Sequence, residues 1–212
     1  RNRFYLLGTD NQGRDILFLL IRATRTNMFL ALVTVTLTLF FGTILALLKG
    51  YIFNRDYPGY YKKVRNIITF ITDGVADVPM LAWIFVIVLL AQLLFDIAND
   101  YNRTVYTFLL MGGIYYSCVV SKSITGHLID LNKMEFLSAA EMLGVSRWKI
   151  IGRHIVKSNL NEILFNQTIR IIVQTIFLEI TLTFRNIGFG FSSSTLSYGA
   201  LINQLMENPY SV

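Results

Sequence analysis

The stretch that decides the fold extends from Thr26 to Leu48, and its sequence is TNMFLALVTVTLTLFFGTILALL. No charged side chain interrupts it, and a helix needs roughly 20 predominantly apolar residues to cross the hydrocarbon layer of a membrane. Because lipid offers no hydrogen-bond partners, the backbone of such a segment must satisfy its own polar groups, as a helix does. The stretch therefore predicts a transmembrane helix.

Three further apolar segments have the length of a membrane span. One uncharged run lies between Arg103 and Lys122, and two others cover Val78 to Phe95 and Ile163 to Phe184. The chain has 212 residues, of which 54% are hydrophobic and 15% charged, which is the composition of a membrane protein. We predict an all-α, polytopic transmembrane helical bundle with four to five membrane helices in this chain.

The sequence argues against several functional classes. Cys118 is the only cysteine, and with His127 and His154 as the only histidines no metal site is expected. No GxxxxGK[ST] phosphate loop occurs, so the chain is not expected to bind or hydrolyse ATP itself. No cofactor is expected, and the net charge of +6 is attributed to membrane topology rather than to nucleic acid binding. Since the chain begins at Arg1 rather than at a methionine, it is expected to be part of a longer protein.

The distribution of basic residues predicts the orientation. They cluster in the connections 49–65 and 122–157, whereas the connection 96–103 has one basic and two acidic residues. Under the positive-inside rule the two basic connections are cytoplasmic and the acidic one is external. This topology places the N-terminal segment outside, although that segment also carries several arginines.

An amphipathic helix is predicted within the second basic connection. Asn132 and Glu135 have the spacing of a capping box, and Gly144 suits the left-handed position that ends a helix, which predicts a helix over 133–143. Its apolar positions recur at three- and four-residue spacing. Such a helix either lies on the membrane interface or docks in a groove of a partner, and the pattern alone leaves both open.

Charged residues inside the predicted spans are candidate functional sites. Asp73 and Asp77 are four residues apart and share a helical face, just before a kink expected at Pro79. They either line a translocation path or hydrogen-bond to neighbouring helices; the second reading is favoured for Asp77, and Asp73 stays open. Arg170 and Glu179 lie on opposite faces of one span, each close enough to a membrane surface to snorkel, and interhelical packing is favoured over substrate contact for both.

The second basic connection resembles the EAA loop of bacterial ABC importer permeases. The match includes Ala139, Ala140, Gly144, Ile150 and His154. In that family this loop forms the coupling helix that sits in a cleft on an ATPase subunit. The resemblance implies an ATPase-docking loop at about 130–158, with the candidate residues Ser138, Ala139, Ala140, Leu143, Gly144, Trp148 and His154. Ser138, Lys157 and Ser158 depart from the motif, which bears on the strength or partner choice of the coupling.

Other segments resemble the C-type permease subunits of dipeptide, oligopeptide and nickel importers. Residues 7–15, LGTDNQGRD, are similar to a Leu-Gly-Thr-Asp-x-x-Gly-Arg-Asp signature, with the matching positions Gly8, Thr9, Asp10, Gly13, Arg14 and Asp15. Asp73 with Pro79 resembles an Asp-x5-Pro pattern, and the stretches that start at Glu179 and Ser197 resemble two later motifs. The resemblance makes Asp73, Pro79 and Glu179 candidates for the translocation path.

The resemblance also implies an architecture and a set of partners. Residues 1–27 would be an external segment leading into the first span, and 28–212 a permease domain of the multi-pass bacterial cytoplasmic (inner) membrane. Family members usually have six spans, so a first and a last helix are expected outside this chain. The implied partners are a second permease subunit in a heterodimer, two cytoplasmic ATP-binding subunits, an external or periplasmic substrate-binding protein and membrane lipid, with no nucleic acid.

Two other functional classes remain as alternatives to a permease that imports peptides, nickel or a related solute. An ion-coupled secondary transporter or channel would use the acidic and basic residues within the spans. A membrane scaffold would tolerate their loss.

Overall fold

The structure is a computed structural model that describes residues 5–10, 12–52, 59–83, 85–86, 89, 101–132, 142–145, 160–184 and 196–207. Over these ranges the longer elements are α-helical, and a single antiparallel bridge joins Thr9 and Asp15. The elements are α1 (Ile16–Leu47), a π-helical turn (Leu48–Ile52), α2 (Gly59–Asp77), α3 (Tyr101–Asn132), α4 (Asn161–Phe184) and α5 (Tyr198–Glu207). The predicted all-α class is therefore confirmed for the part of the chain that the structure describes.

The chain divides into two compact units. The first unit lies within Arg1–Thr34, Trp83–Gly112 and Ile172–Val212, and the second within Val35–Ala82 and Gly113–Ile171. The first buries apolar side chains of α1, α4 and α5, among them Leu19, Ala23, Leu30, Leu178 and Leu201. The second buries a row along α3 together with Leu160, which precedes α4, and Ile171 within it; the row on α3 is Tyr116, Val120, Ile124 and Leu128.

Helix α1 begins earlier than the uncharged run predicted. It starts at Ile16 rather than near Thr26, because Asp15 caps it by accepting a hydrogen bond from the Leu17 amide at 2.9 Å. Arg25, which bordered the uncharged run, and Arg22 before it both lie inside the helix. The end of the predicted external segment is therefore helical.

Helix α2 ends where the sequence predicted a kink. Asp77 is its last residue, Val78 and Pro79 are not helical, and helical conformation resumes at Met80. Proline removes a backbone donor and its ring clashes with the preceding turn, which explains the break. The Tyr115 hydroxyl donates to the Val78 carbonyl at 3.1 Å and so satisfies a backbone acceptor at the break.

Two helices in the described part of the chain are long and apolar enough to cross a membrane, Ile16–Gly50 and Asn161–Thr183. The most apolar windows of these helices are only 39% and 28% buried. The core helix of a soluble protein would be mostly covered, whereas here large apolar side chains such as Phe18, Phe29, Phe40 and Phe165 are exposed. Such surfaces fit contact with lipid or with another membrane subunit.

Candidate functional site

The segment before α1 is a closed loop built around the Asp10 carboxylate. Its Oδ1 accepts hydrogen bonds from the amides of Gln12 at 3.0 Å and Arg14 at 2.8 Å. Its Oδ2 accepts from Arg14 Nε at 2.7 Å and lies 2.7 Å from Arg14 Nη2. The side chain of Asp10 is only 4% exposed, so the loop is organised around a buried anion with a paired cation.

The other motif positions have backbone roles in this loop. Gly8 and Gly13 have φ values of 77° and 72°, a region that residues with a Cβ rarely adopt. Thr9 forms the bridge to Asp15, and Asp15 caps α1. At 3.5 Å, Gln204 Nε2 of α5 also donates to Asp10 Oδ2. The signature-like residues therefore stabilise the start of α1 and bring α5 to the loop.

We expect the stability of this loop to fall in acid. Burial opposes ionisation of Asp10, but the hydrogen bonds from the Arg14 amide, the Arg14 side chain and the Gln12 amide outweigh it and hold the pKa below its ordinary 3.8. A carboxyl whose folded pKa is lowered contributes stability above the unfolded pKa and loses it as pH falls through the folded pKa. Asp10→Asn should therefore lower the thermal unfolding temperature near neutral pH, and this difference should shrink below about pH 4.

The expected effect at neutral pH is about 1–2 kcal/mol, because the Arg14 side chain is 43% exposed and water screens part of the ion pair. The measurement is the unfolding temperature of the two proteins between pH 7 and pH 3. A difference that stays constant down to pH 3 would contradict the role of the ionised carboxylate.

A second buried carboxylate, that of Glu179, joins three helices of the same unit. Glu179 is 1% exposed. Its Oε2 accepts from Asn27 Nδ2 of α1 at 2.8 Å and from the Gly199 amide of α5 at 3.3 Å, and its Oε1 accepts from the Thr183 hydroxyl at 2.8 Å. Glu179 does not use its position near the end of the span to snorkel, because neutral donors surround its carboxylate inside the unit. The contact with Asn27 is interhelical packing, the alternative that the sequence favoured.

The start of α5 is fixed by the same residues. The Asn27 side chain accepts from the Tyr198 amide at 3.4 Å, and the Tyr198 hydroxyl is 2.7 Å from the Thr24 hydroxyl of α1. Gly199 lies so close to α4 that an added Cβ would be 2.5 Å from Thr183 Cβ. The sequence Ser197-Tyr198-Gly199 thus supplies a helix start that only glycine at its third position allows.

In the second unit, Asp73 is paired with Lys49. The Lys49 ammonium donates to Thr72 Oγ1 at 2.8 Å and to Asp73 Oδ1 at 3.1 Å. The Lys49 side chain is 1% exposed, and that of Asp73 is 32% exposed. The sequence counted Lys49 among the basic residues of a connection; in the structure it lies in the π-helical turn, and its side chain is buried against α2.

The second acidic residue of α2 also has a cationic partner. Asp77 forms an ion pair with Lys122 of α3, and both side chains are largely exposed, at 67% and 45%. Asp73 and Asp77 do share a face of α2, as their spacing predicted, and this face is held by lysines from two other elements. Pro79 lies two residues beyond and is exposed. The arrangement matches the hydrogen-bonding alternative for Asp77.

The predicted ATPase-docking loop is described at residues 142–145. There Gly144 has a φ of 76°, so its predicted left-handed conformation is confirmed, whereas residues 133–141 of the predicted helix lie outside the described residues. Met142 and Leu143 just before it are 87% and 82% exposed. Ser138, Ala139, Ala140, Trp148 and His154 lie outside the described residues.

Sequence reasoning missed the partners of the charged residues. Lys49, Asn27 and Tyr115 were not predicted as site residues, although they contact Asp73, Glu179 and the Pro79 break. A weak signal existed for Asn27, a polar residue at the start of an uncharged run. Arg170, the other charged residue that the sequence singled out in the span of Glu179, is exposed on α4.

The sequence of this chain matches a family of known proteins. The family model for the inner membrane component of binding-protein-dependent transport systems matches residues 57–206, more than half of the chain. The chain belongs to this family. The range that matches the family model contains Asp73, Pro79, Gly144, Glu179 and Gly199, whereas the Asp10 loop precedes it.

Individual relatives extend the similarity to the N-terminal part of this family member. Over 200 residues it is 28% identical to the oligopeptide transport system permease protein OppC of Lactococcus lactis subsp. cremoris, covering 94% of this chain and 61% of that protein. It is 25% identical over 198 residues to the glutathione transport system permease protein GsiD of Pectobacterium atrosepticum, covering 93% and 59%. A stretch of 50 residues is 50% identical to the dipeptide transport system permease protein DppC of Haemophilus influenzae, covering 24% of this chain and 17% of that protein. The chain spans about three fifths of the length of the first two relatives.

Proposed function

We propose that this chain is a permease subunit of an ATP-driven importer of peptides, or of nickel or a related solute. It would form part of the translocation pathway and would not itself be an enzyme, with ATP hydrolysed by partner subunits. The family membership supports the transport role, and relatives named for oligopeptide, glutathione and dipeptide transport support peptides as the cargo class.

The observation that carries the coupling role is the geometry at Gly144. A left-handed glycine directly follows Met142 and Leu143, whose side chains are exposed to solvent. Large exposed apolar side chains beside a sharp turn are suited to insertion into a cleft of another protein. We assign this cleft to the ATPase subunits.

The proposed assembly follows from the same proposal of an ATP-driven importer. This chain would pair with a second permease subunit, carry two cytoplasmic ATP-binding subunits, and receive its cargo from an external or periplasmic substrate-binding protein. Four to five membrane helices would cross the inner membrane within this chain, with the Asp10 loop on the external side. ATP binding would draw the ATPases together, move the docking loop, and switch the pathway between outward and inward access.

The Gly144→Ala substitution tests the docking loop. A side chain raises the free energy of a left-handed φ by about 1–2 kcal/mol, so the turn is either distorted or strained. The amount of ATPase subunit that co-purifies with the permease at limiting ATPase concentration should fall about fivefold or more.

The matched control is Gly126→Ala. Gly126 is an exposed residue of α3 with no neighbouring atom within 4 Å of an added Cβ, so co-purification should not change. If the Gly144 and Gly126 variants retain equal amounts of ATPase, the docking role of this turn is wrong.

An ion-coupled transporter would instead titrate its intramembrane carboxylates during uptake. Asp73 and Asp77 are paired with lysines, and Glu179 is surrounded by neutral donors, which supports structural contacts rather than ion coupling for these carboxylates. The two classes separate in proteoliposomes: ion-coupled uptake persists without ATPase subunits and stops when the proton gradient is collapsed, whereas uptake by the proposed importer requires ATP.

A further inference from the structure

The π-helical turn Leu48–Ile52 at the end of α1 contacts two other helices of the second unit. A π-helical turn adds a residue to the helical ladder, is rare, and frequently lies at a functional site. In this turn consecutive residues point to different neighbours. Lys49 contacts α2, and Gly50 contacts α3.

The contact with α2 is electrostatic. The buried Lys49 ammonium reaches Thr72 Oγ1 at 2.8 Å and Asp73 Oδ1 at 3.1 Å. Moving this ammonium away from both oxygens would leave a charge in a dry environment, which is strongly unfavourable. Displacement of the turn is therefore expected to displace α2 with it.

The contact with α3 is steric. An added Cβ on Gly50 would be 2.9 Å from Leu128 Cβ, so the backbone of the turn lies directly against α3. Leu128 is fully buried, and close-packed interiors transmit displacement rather than absorb it. Helix α3 ends at Asn132, and the chain continues from there into the proposed ATPase-docking loop.

We propose that the π-helical turn is the relay that carries movement of the docking loop to α2, with Lys49 and Gly50 as its positioning residues. This inference rests on the proposed function. When α3 moves, Leu128 displaces Gly50 and with it the π-helical turn. The Lys49–Asp73 ion pair then displaces α2. The break at Pro79, six residues after Asp73, lets α2 shift without carrying the following helical residues rigidly with it.

The test is hydrogen exchange of α2 in the complete complex with its ATPase subunits, with and without ATP, using ATPases unable to hydrolyse it. In the unaltered protein, ATP should change exchange in both α3 and α2. Lys49→Met keeps a side chain of similar length but removes the charge, so the ATP-dependent change in α2 should fall about fivefold or more while that in α3 remains.

Two variants serve as controls. Lys49→Arg keeps the charge and should restore the response of α2. Lys62→Met removes an exposed cation from α2 itself and should leave the response unchanged. If Lys49→Met responds in α2 as the unaltered protein does, the relay is wrong.

If Lys49→Met does not assemble, Gly50→Ala takes its place, since it pushes the turn off Leu128 but keeps the ion pair. The same loss in α2 is expected, and an unchanged response overturns the relay. Failure of the proposed function looks different: the ATPases would not co-purify, or ATP would change nothing in α3 of the unaltered protein.

Discussion

Gly199→Ala is expected to destabilise the protein by about 1–3 kcal/mol, because its added methyl group meets the shortest contact found at any of the glycines compared in the described residues. The new Cβ would be 2.5 Å from Thr183 Cβ, 3.0 Å from Glu179 Oε1 and 3.1 Å from Ile180 Cα. Two of these atoms belong to backbone or to a Cβ, so rotation of a side chain cannot relieve the clash. Helix α5 must move away from α4, which weakens the hydrogen bond from the Gly199 amide to Glu179.

The measurement is the thermal unfolding temperature of the purified complex, with the yield of assembled complex as a second readout. Gly74→Ala is the matched control, because Gly74 lies on α2 with nothing within 4 Å of an added Cβ. There alanine should be neutral or stabilising through its higher helix propensity. Equal unfolding temperatures for the Gly199 and Gly74 variants would show that α5 is not packed against α4 as closely as the structure places it.

Replacement of Glu179 should separate a packing role from a role of its charge. Glu179→Ala leaves three donors unpaired, those of Asn27, Thr183 and Gly199. Each unsatisfied buried donor costs about 1–3 kcal/mol, so a loss of about 3 kcal/mol or more is expected.

Glu179→Gln should be far milder. Its amide oxygen can occupy the position of Oε2 and accept from Asn27 and Gly199, while its NH₂ group faces the Thr183 hydroxyl, which can rotate and accept. We expect a loss of about 1–2 kcal/mol, because neutral hydrogen bonds replace bonds to a charged group. Thermal unfolding of the two variants measures the difference. If glutamine is as damaging as alanine, the negative charge itself holds the helices together, and the packing interpretation is wrong.

The local features of the fold could be predicted from the sequence because their causes lie within a few residues. The uncharged run 26–48 and the apolar run 163–184, which contains Arg170 and Glu179, predicted two of the helices. Gly144 was predicted to be left-handed and is, and Pro79 was predicted to interrupt α2 and does. The start of α1 was missed, since a charge-free run measures the apolar part of a helix and not its length; Arg22 and Arg25 are compatible with helical conformation.

The roles of the charged residues could not be predicted in the same way. The spacing of Asp73 and Asp77 placed them on one face, but it did not identify Lys49 and Lys122 as their partners. The position of Glu179 near one end of an apolar segment suggested snorkelling, whereas the structure buries it. In both cases the outcome depends on which helices pack against that face.

The sequence by itself determined that this protein is helical, that its helices are apolar enough for a membrane, and where glycine and proline break them. Those properties follow from hydrophobicity and backbone dihedral preference, which act over one or two helical turns. Only the tertiary structure decided which polar groups meet. Asn27 and Glu179 are 152 residues apart in the chain yet 2.8 Å apart in space. A buried polar group must find its partner among whatever residues the packing of distant helices brings to it, and no local pattern records that choice.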